Sequence, residues 1–108
     1  MADCGLAPNE LALLSEVFAN VQGLKEVVLY GSRAKGTQRP ESDVDLALIG
    51  VDDDLEAERV ADALEELPLP YRFDVKAYAR IGYAPLRDHI ERVGVRIYWR
   101  GESALQIS

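Results

Sequence analysis

The chain has 108 residues, 48% of them hydrophobic, and its 19 acidic and 12 basic side chains give a formal net charge of −7. This length suits one globular domain with a single core, so we expect one domain over 1–108, with its core at about 9–100 and a tail at 101–108. The longest apolar runs are far shorter than the ~20 residues that span a bilayer, and the acidic excess opposes tight binding to long nucleic acids. We therefore expect a cytoplasmic protein whose ligands are neither membranes nor long nucleic acids.

The spacing of apolar residues divides the chain into helices and strands. Apolar positions three and four residues apart predict helices, and strict alternation predicts strands. In chain order, the predicted elements are a helix over 9–22, strands over 25–30 and 42–49, a helix over 54–67, a strand over 71–79, a helix over 85–93 and a strand over 95–99. This order predicts the α/β (α+β) class, with a small mixed β-sheet, helices on one face and the other face open for a site.

The predicted strand over 42–49 carries two aspartates on its polar face. Val44, Leu46 and Leu48 form its apolar face. Asp43 and Asp45 alternate with them and lie on the opposite face, about 6 to 7 Å apart along the backbone. This spacing allows both carboxylates to reach one shared ion.

A third aspartate, Asp74, lies on the polar face of the predicted strand over 71–79. If the two strands are neighbours, three carboxylates gather and repel one another unless protons or hard cations neutralise them. Magnesium prefers such oxygen ligands, and a pair of ions can stabilise both the attacking and the leaving oxygen in a displacement at phosphorus. We expect these acids to bind two Mg²⁺ ions. The alternative for Asp74 is a solvated face that it shares with Arg72 and Lys76.

A Gly-Ser pair at the end of the first predicted strand is a candidate phosphate site. Gly31 has no side chain, so a triphosphate can approach its backbone closely. The Ser32 hydroxyl and the neighbouring backbone N–H groups can donate hydrogen bonds to phosphate oxygens. The basic side chains of Arg33 and Lys35 follow directly and can balance the charge of the β and γ phosphates.

These motifs together resemble a known superfamily. A Gly-Ser pair, ten residues, the Asp-Val-Asp of residues 43–45 and a later strand aspartate are similar to the pattern of DNA polymerase beta-like nucleotidyltransferases. The short chain, GSRAKG followed by SDVDLAL, and the ending RDHIERVGVRIYW resemble the minimal nucleotidyltransferase (MNT) antitoxins of HEPN/MNT toxin–antitoxin pairs. The resemblance covers about residues 9–100.

The resemblance implies a reaction and a role for each motif residue. Gly31 and Ser32 would hold the nucleoside triphosphate. Asp43 and Asp45 would bind magnesium, and Asp74 would complete the metal site and help to deprotonate the acceptor hydroxyl. That hydroxyl would attack the α-phosphate of ATP and release pyrophosphate. In the antitoxin branch the acceptor is a tyrosine of a HEPN RNase toxin, which implies a hetero-oligomer with that toxin.

Two other functions stay open at this stage. One is transfer of a nucleotide to a small molecule such as an aminoglycoside, although a chain of this length has little left to build a second pocket. The other is a non-catalytic module that neutralises a toxin by occlusion. Against occlusion stand the intact aspartates, because a carboxylate cluster without a cation is unfavourable.

Overall fold

The computed structural model of the chain describes residues 6–35 and 43–100. Its helices are α1 (Pro8–Ala19), α2 (Ser32–Lys35), α3 (Asp54–Glu65) and α4 (Ala84–Val93), and its strands are β1 (Glu26–Tyr30), β2 (Val44–Ile49), β3 (Phe73–Ala77) and β4 (Val95–Trp99). A short 3-10 turn, Tyr78–Arg80, follows β3. The predicted tail lies outside the described residues. No helix in the described part of the chain is long and apolar enough to cross a membrane.

The four strands form one mixed sheet in the order β3-β2-β1-β4. β1 is antiparallel to both β2 and β4, whereas β2 and β3 are parallel. Parallel neighbours need a crossover, and α3 supplies it between β2 and β3. The sheet confirms the predicted α/β class and the predicted mixed strand directions.

The main core lies between one face of the sheet and the helices α1 and α3. β2 contributes its predicted apolar face, and all three of those residues are fully buried. The helices contribute five further buried residues, namely Leu14, Phe18, Ala57, Val60 and Leu64. The helical spacing of 54–67 predicts that Leu55 points inward, but it is 53% exposed, so that prediction is wrong. Leu55 lies in the first turn of α3, before the first buried residue of that helix.

Helix α4 lies on the opposite face of the sheet, where the sequence predicted no helix. Ile90 of α4 packs there with Tyr30 of β1, Ala47 of β2 and Ile81, in a second, smaller apolar cluster. Ala47 alternates with the main-core residues of β2 and therefore points to this side. The expectation of helices on one face alone thus holds for α1 and α3 and is wrong for α4. On the same face, Asp43 and Asp74 are exposed and Asp45 is partly buried.

Capping interactions fix where two helices begin. Pro8 occupies the first turn of α1, and the Glu10 carboxylate accepts a hydrogen bond from the Ala7 N–H at 2.9 Å. α1 therefore starts one residue before the predicted boundary. Asp53 caps α3, because its carboxylate accepts a hydrogen bond from the Leu55 N–H at 2.9 Å. Such caps satisfy N–H groups that have no partner inside the helix.

Candidate active site

Three polar side chains form a row across the face of the sheet opposite the main core. Tyr30 of β1 is paired with Asp45 of β2, and Asp45 is paired with Asp74 of β3. Residues paired on neighbouring strands project to the same face, so the two carboxylates lie side by side. The sheet therefore brings Asp74 beside Asp45, which the sequence predicted only on the condition that the two strands were neighbours.

Asp43 extends this row at the start of β2. It lies two residues before Asp45 and is exposed. Burial of Asp45, then the charge of Asp74 and then that of Asp43 raise the pKa of the Asp45 carboxyl, while Lys76 and His89 lower it. The negative charge of Asp45 is therefore unfavourable where it stands. A hard cation would relieve this cost.

The Asp74 carboxylate already has a cationic neighbour. Lys76 Nζ lies 3.1 Å from each of its two oxygens. The alternative for Asp74 was a solvated face that it shares with basic side chains. That alternative is therefore present in part. Within residues 6–35 and 43–100, no three acidic, histidine or cysteine side chains are gathered closely enough to hold a metal ion. The acids share one face, but Asp74 faces Lys76.

Gly31 makes the turn that brings the candidate phosphate site next to Asp45. Its φ angle is +81°, in the left-handed region that residues with a side chain rarely adopt. A Cβ atom built at Gly31 would also overlap an oxygen of the Asp45 carboxylate. Glycine is thus required here for two separate reasons. The turn and the acid occupy one compact site.

The other predicted phosphate contacts follow Gly31 in the short helix α2. Ser32 and Lys35 are its first and last residues. Their side chains lie outside the described residues, so their contacts with phosphate stay predictions. Arg33 is described, and it lies in the interior with 2% of its surface exposed. Its guanidinium carbon is 4.8 Å from the centre of the Tyr71 ring, which packs against the main core.

Two site residues were missed by the sequence analysis. Burial, Asp74 and Asp45 together raise the pKa of the Tyr30 hydroxyl, so this group keeps its proton and cannot act as a base. His89 lies in a charged stretch of the sequence that is typical of a surface, but it is half-buried, and its ring packs edge-on against Tyr30 with the ring centroids 6.3 Å apart. The position of His89 follows from α4 lying on the site face, which the amphipathic pattern of α4 does not reveal.

The chemistry of these acids suits a magnesium site. Carboxylate oxygens are the donors that Mg²⁺ prefers, and it is commonly held by one or two carboxylates together with substrate phosphates. Asp45 and Asp74 supply a neighbouring pair of carboxylates, and Asp43 lies exposed just before β2. Burial and the charges of Asp74 and Asp43 raise the pKa of Asp45, as expected when carboxylates lie close together. Such a site suits phosphoryl or nucleotidyl transfer.

A comparison with known protein families defines the class. The family model described as Polymerase beta, Nucleotidyltransferase matches residues 13–103, which include Gly31 and all three aspartates. The chain belongs to this family and is a nucleotidyltransferase.

One relative of the chain is named as an adenylyltransferase. Over 80 residues the chain is 32% identical to the Haemophilus influenzae protein named Probable protein adenylyltransferase MntA, and the match covers 72% of this chain and 70% of the relative.

Solved structures share the fold of this chain. A toxin–antitoxin crystal structure with AMP-PNP matches with a TM-score of 0.70 and 22% identity, over 94% of this chain and 80% of the other. The tri-AMPylated Shewanella oneidensis HEPN toxin in complex with MNT antitoxin matches with a TM-score of 0.58 and 19% identity, over 91% of this chain and 74% of the other.

Proposed function

We propose that this nucleotidyltransferase moves AMP from ATP to a tyrosine hydroxyl of a cognate HEPN toxin, and thereby acts as the antitoxin. The observation that carries the proposal is the pairing of Asp45 with Asp74 beside the Gly31 turn. The MntA relative is named as a protein adenylyltransferase, and structures with this fold contain an AMPylated HEPN toxin or AMP-PNP. Together they favour ATP as the nucleotide and a protein as the acceptor.

The proposed roles divide the site into a metal end and a phosphate end. Asp43, Asp45 and Asp74 would hold Mg²⁺, as a pair of ions. When bound, these ions neutralise phosphate charge and stabilise the attacking and leaving oxygens. Asp74 is also the proposed acceptor of the proton that leaves the tyrosine hydroxyl, because a carboxylate is a suitable base while Tyr30 holds its own proton.

The phosphate end consists of the Gly31 turn and the start of α2. Gly31 permits close approach of the triphosphate, and Ser32 would donate its hydroxyl to a phosphate oxygen. Lys35 remains the predicted cation for the β and γ phosphates. For Arg33 we propose a different role from the one first expected, namely that its burial against Tyr71 holds α2 in position.

The proposed partner presents its tyrosine at the acids of this site. Asp43 and Asp74 are exposed, so a second protein can reach them. We propose a hetero-oligomer with a HEPN toxin, and we propose that both proteins act in the cytoplasm. The net charge of −7 is consistent with a protein partner instead of a long nucleic acid.

The test is AMP transfer to the partner, followed by intact-mass spectrometry. The purified protein, ATP, Mg²⁺ and the HEPN toxin encoded beside it should yield a toxin that gains AMP. Asp43→Asn/Asp45→Asn should abolish the gain, whereas Asp62→Asn, which removes an exposed acid on α3, should leave it unchanged. If the wild-type protein adds no AMP to the toxin, the proposed activity is wrong.

A neutralisation assay with the same variants separates catalysis from occlusion. Toxicity of the HEPN protein should return when the double variant replaces the wild type at equal expression. If the double variant still neutralises the toxin fully, the chain acts by occlusion. If the wild type expressed alone modifies an aminoglycoside and not the toxin, the acceptor is a small molecule.

A further inference from the structure

Lys76 contacts the carboxylate that completes the proposed metal site. Its ammonium lies 3.1 Å from both oxygens of Asp74, and the two side chains are 41% and 50% exposed. We propose that Lys76 competes with the divalent cation for Asp74: its ammonium occupies the carboxylate first and leaves it when the metal binds. The inference rests on the metal site proposed above, but it concerns a residue to which that function assigns no role.

The register of the sheet explains why Lys76 and the metal compete. Lys76 is paired with Ala47, two residues further along each strand than the pair formed by Asp45 and Asp74. Its positive charge therefore lies on the site face, beside two carboxylates. A dication bound by those carboxylates would lie within a few ångströms of the ammonium, and charges of the same sign repel at that range. Binding of either cation at Asp74 therefore weakens binding of the other.

The ammonium has space to move into when it leaves Asp74. A cleft of about 340 Å³ opens beside Lys76, between the end of β3 and the start of α4, and Asp54 and Arg80 also line it. Lysine carries its charge on a flexible four-carbon chain, so the ammonium can turn into this cleft without a change in the backbone. Asp54 offers a second carboxylate there, although Arg80 Nε already contacts it at 3.7 Å.

The competition predicts an unusual sign for a mutation at an active site. Lys76→Met removes the competing charge, so the variant should bind a divalent cation more tightly than the wild type. An exposed ion pair and the repulsion of a nearby charge correspond to a tightening of about 3- to 10-fold. Lys76→Gln should behave like Lys76→Met, and Lys76→Arg should stay close to the wild type because it keeps the positive charge.

The experiment is a titration with Mn²⁺ in the absence of nucleotide, in which free Mn²⁺ is measured by electron paramagnetic resonance and Mg²⁺ is added as a competitor. Arg80→Met is the matched control, because it removes the same charge from the same cleft and leaves Asp74 untouched; its affinity should equal that of the wild type. In an Asp74→Asn background, Lys76→Met should no longer tighten binding. Thermal unfolding should show a larger Mg²⁺-induced rise in Tm for Lys76→Met than for the wild type.

Three outcomes would overturn the inference. If the Lys76 variants bind Mn²⁺ no more tightly than the wild type, or if Arg80→Met tightens binding equally, Lys76 does not compete with the metal, and the proposed function stands. If neither the wild type nor Lys76→Met binds Mn²⁺, the metal site itself is wrong and the inference fails with it. None of these measurements requires AMP transfer, so failure of the inference can be distinguished from failure of the proposed function.

Discussion

Gly31→Ala should destabilise the protein through two separable effects. Its φ angle of +81° lies in the left-handed region, where a residue with a side chain costs about 1–2 kcal/mol. The new Cβ would also overlap an oxygen of the Asp45 carboxylate, which would have to move aside, at a cost of about 1–2 kcal/mol in the lower part of the range for overpacking. We expect a total loss of about 2–4 kcal/mol, which is a large share of the roughly 5–15 kcal/mol that holds a typical domain folded.

The chain contains a matched control for this substitution. Gly23 has a nearly identical φ angle of +82°, but a Cβ there would meet only the Gly50 carbonyl oxygen at 3.5 Å, an ordinary contact. Gly23→Ala should therefore show the conformational cost alone, about 1–2 kcal/mol. Urea unfolding in EDTA measures both variants, and the midpoint for Gly31→Ala should fall by about 1–2 M.

A double-variant cycle isolates the contact with the acid. In an Asp45→Ala background the overlap disappears, so Gly31→Ala should cost only about as much as Gly23→Ala. Our account of the turn would be refuted if Gly31→Ala were as mild as Gly23→Ala in the wild-type background, or if its cost were the same with and without the Asp45 carboxylate.

Three further predictions concern charge, a hydrogen bond and packing. Burial and the neighbouring acids raise the folded-state pKa of Asp45 above its ordinary value of 3.8, so the stability this group contributes is present below that pH and is lost as pH rises through the folded-state pKa. Urea unfolding in EDTA should therefore show that Asp45→Asn becomes more stable relative to the wild type as pH rises from 3.8 through the folded-state pKa of Asp45. A difference in unfolding free energy that does not change with pH would contradict this. Tyr71→Phe removes the hydroxyl that donates to Glu10 at 3.0 Å and should cost about 1–2 kcal/mol, whereas Tyr83→Phe, at an exposed position, should cost nothing measurable. Ile90→Ala should cost about 2–4 kcal/mol because it empties the cluster under α4, and a loss below about 1 kcal/mol would show that α4 is not anchored there.

The sequence predicts the two faces of β2 well because burial imposes alternation on a strand. Val44, Leu46 and Leu48 had to share one face, and that fixed Asp43 and Asp45 on the other. The crossover through α3 then made a parallel neighbour plausible. Strand pairing itself depends on contacts between distant segments, so the local pattern allows Asp74 to lie beside Asp45 but does not require it.

Other features depend on tertiary contacts that a pattern does not encode. The amphipathic spacing of α4 shows that Ile90 is buried, but it does not show which face of the sheet buries it. The position of His89 was missed for that reason. Arg33 follows the Gly-Ser pair and resembles a phosphate ligand in the sequence, yet its guanidinium packs on Tyr71, which lies far along the chain.

The parallel pairing of β2 with β3 also makes the row of acids depend on a contact between distant segments. Asp45 and Asp74 come from strands that meet only after the long connection through α3 has closed, and pairings between distant segments are slow to form. In a chain in which only the N-terminal half has folded, Asp45 does not have Asp74 beside it, so the row of acids is not formed. The row of acids thus exists only in chains in which β3 has paired with β2.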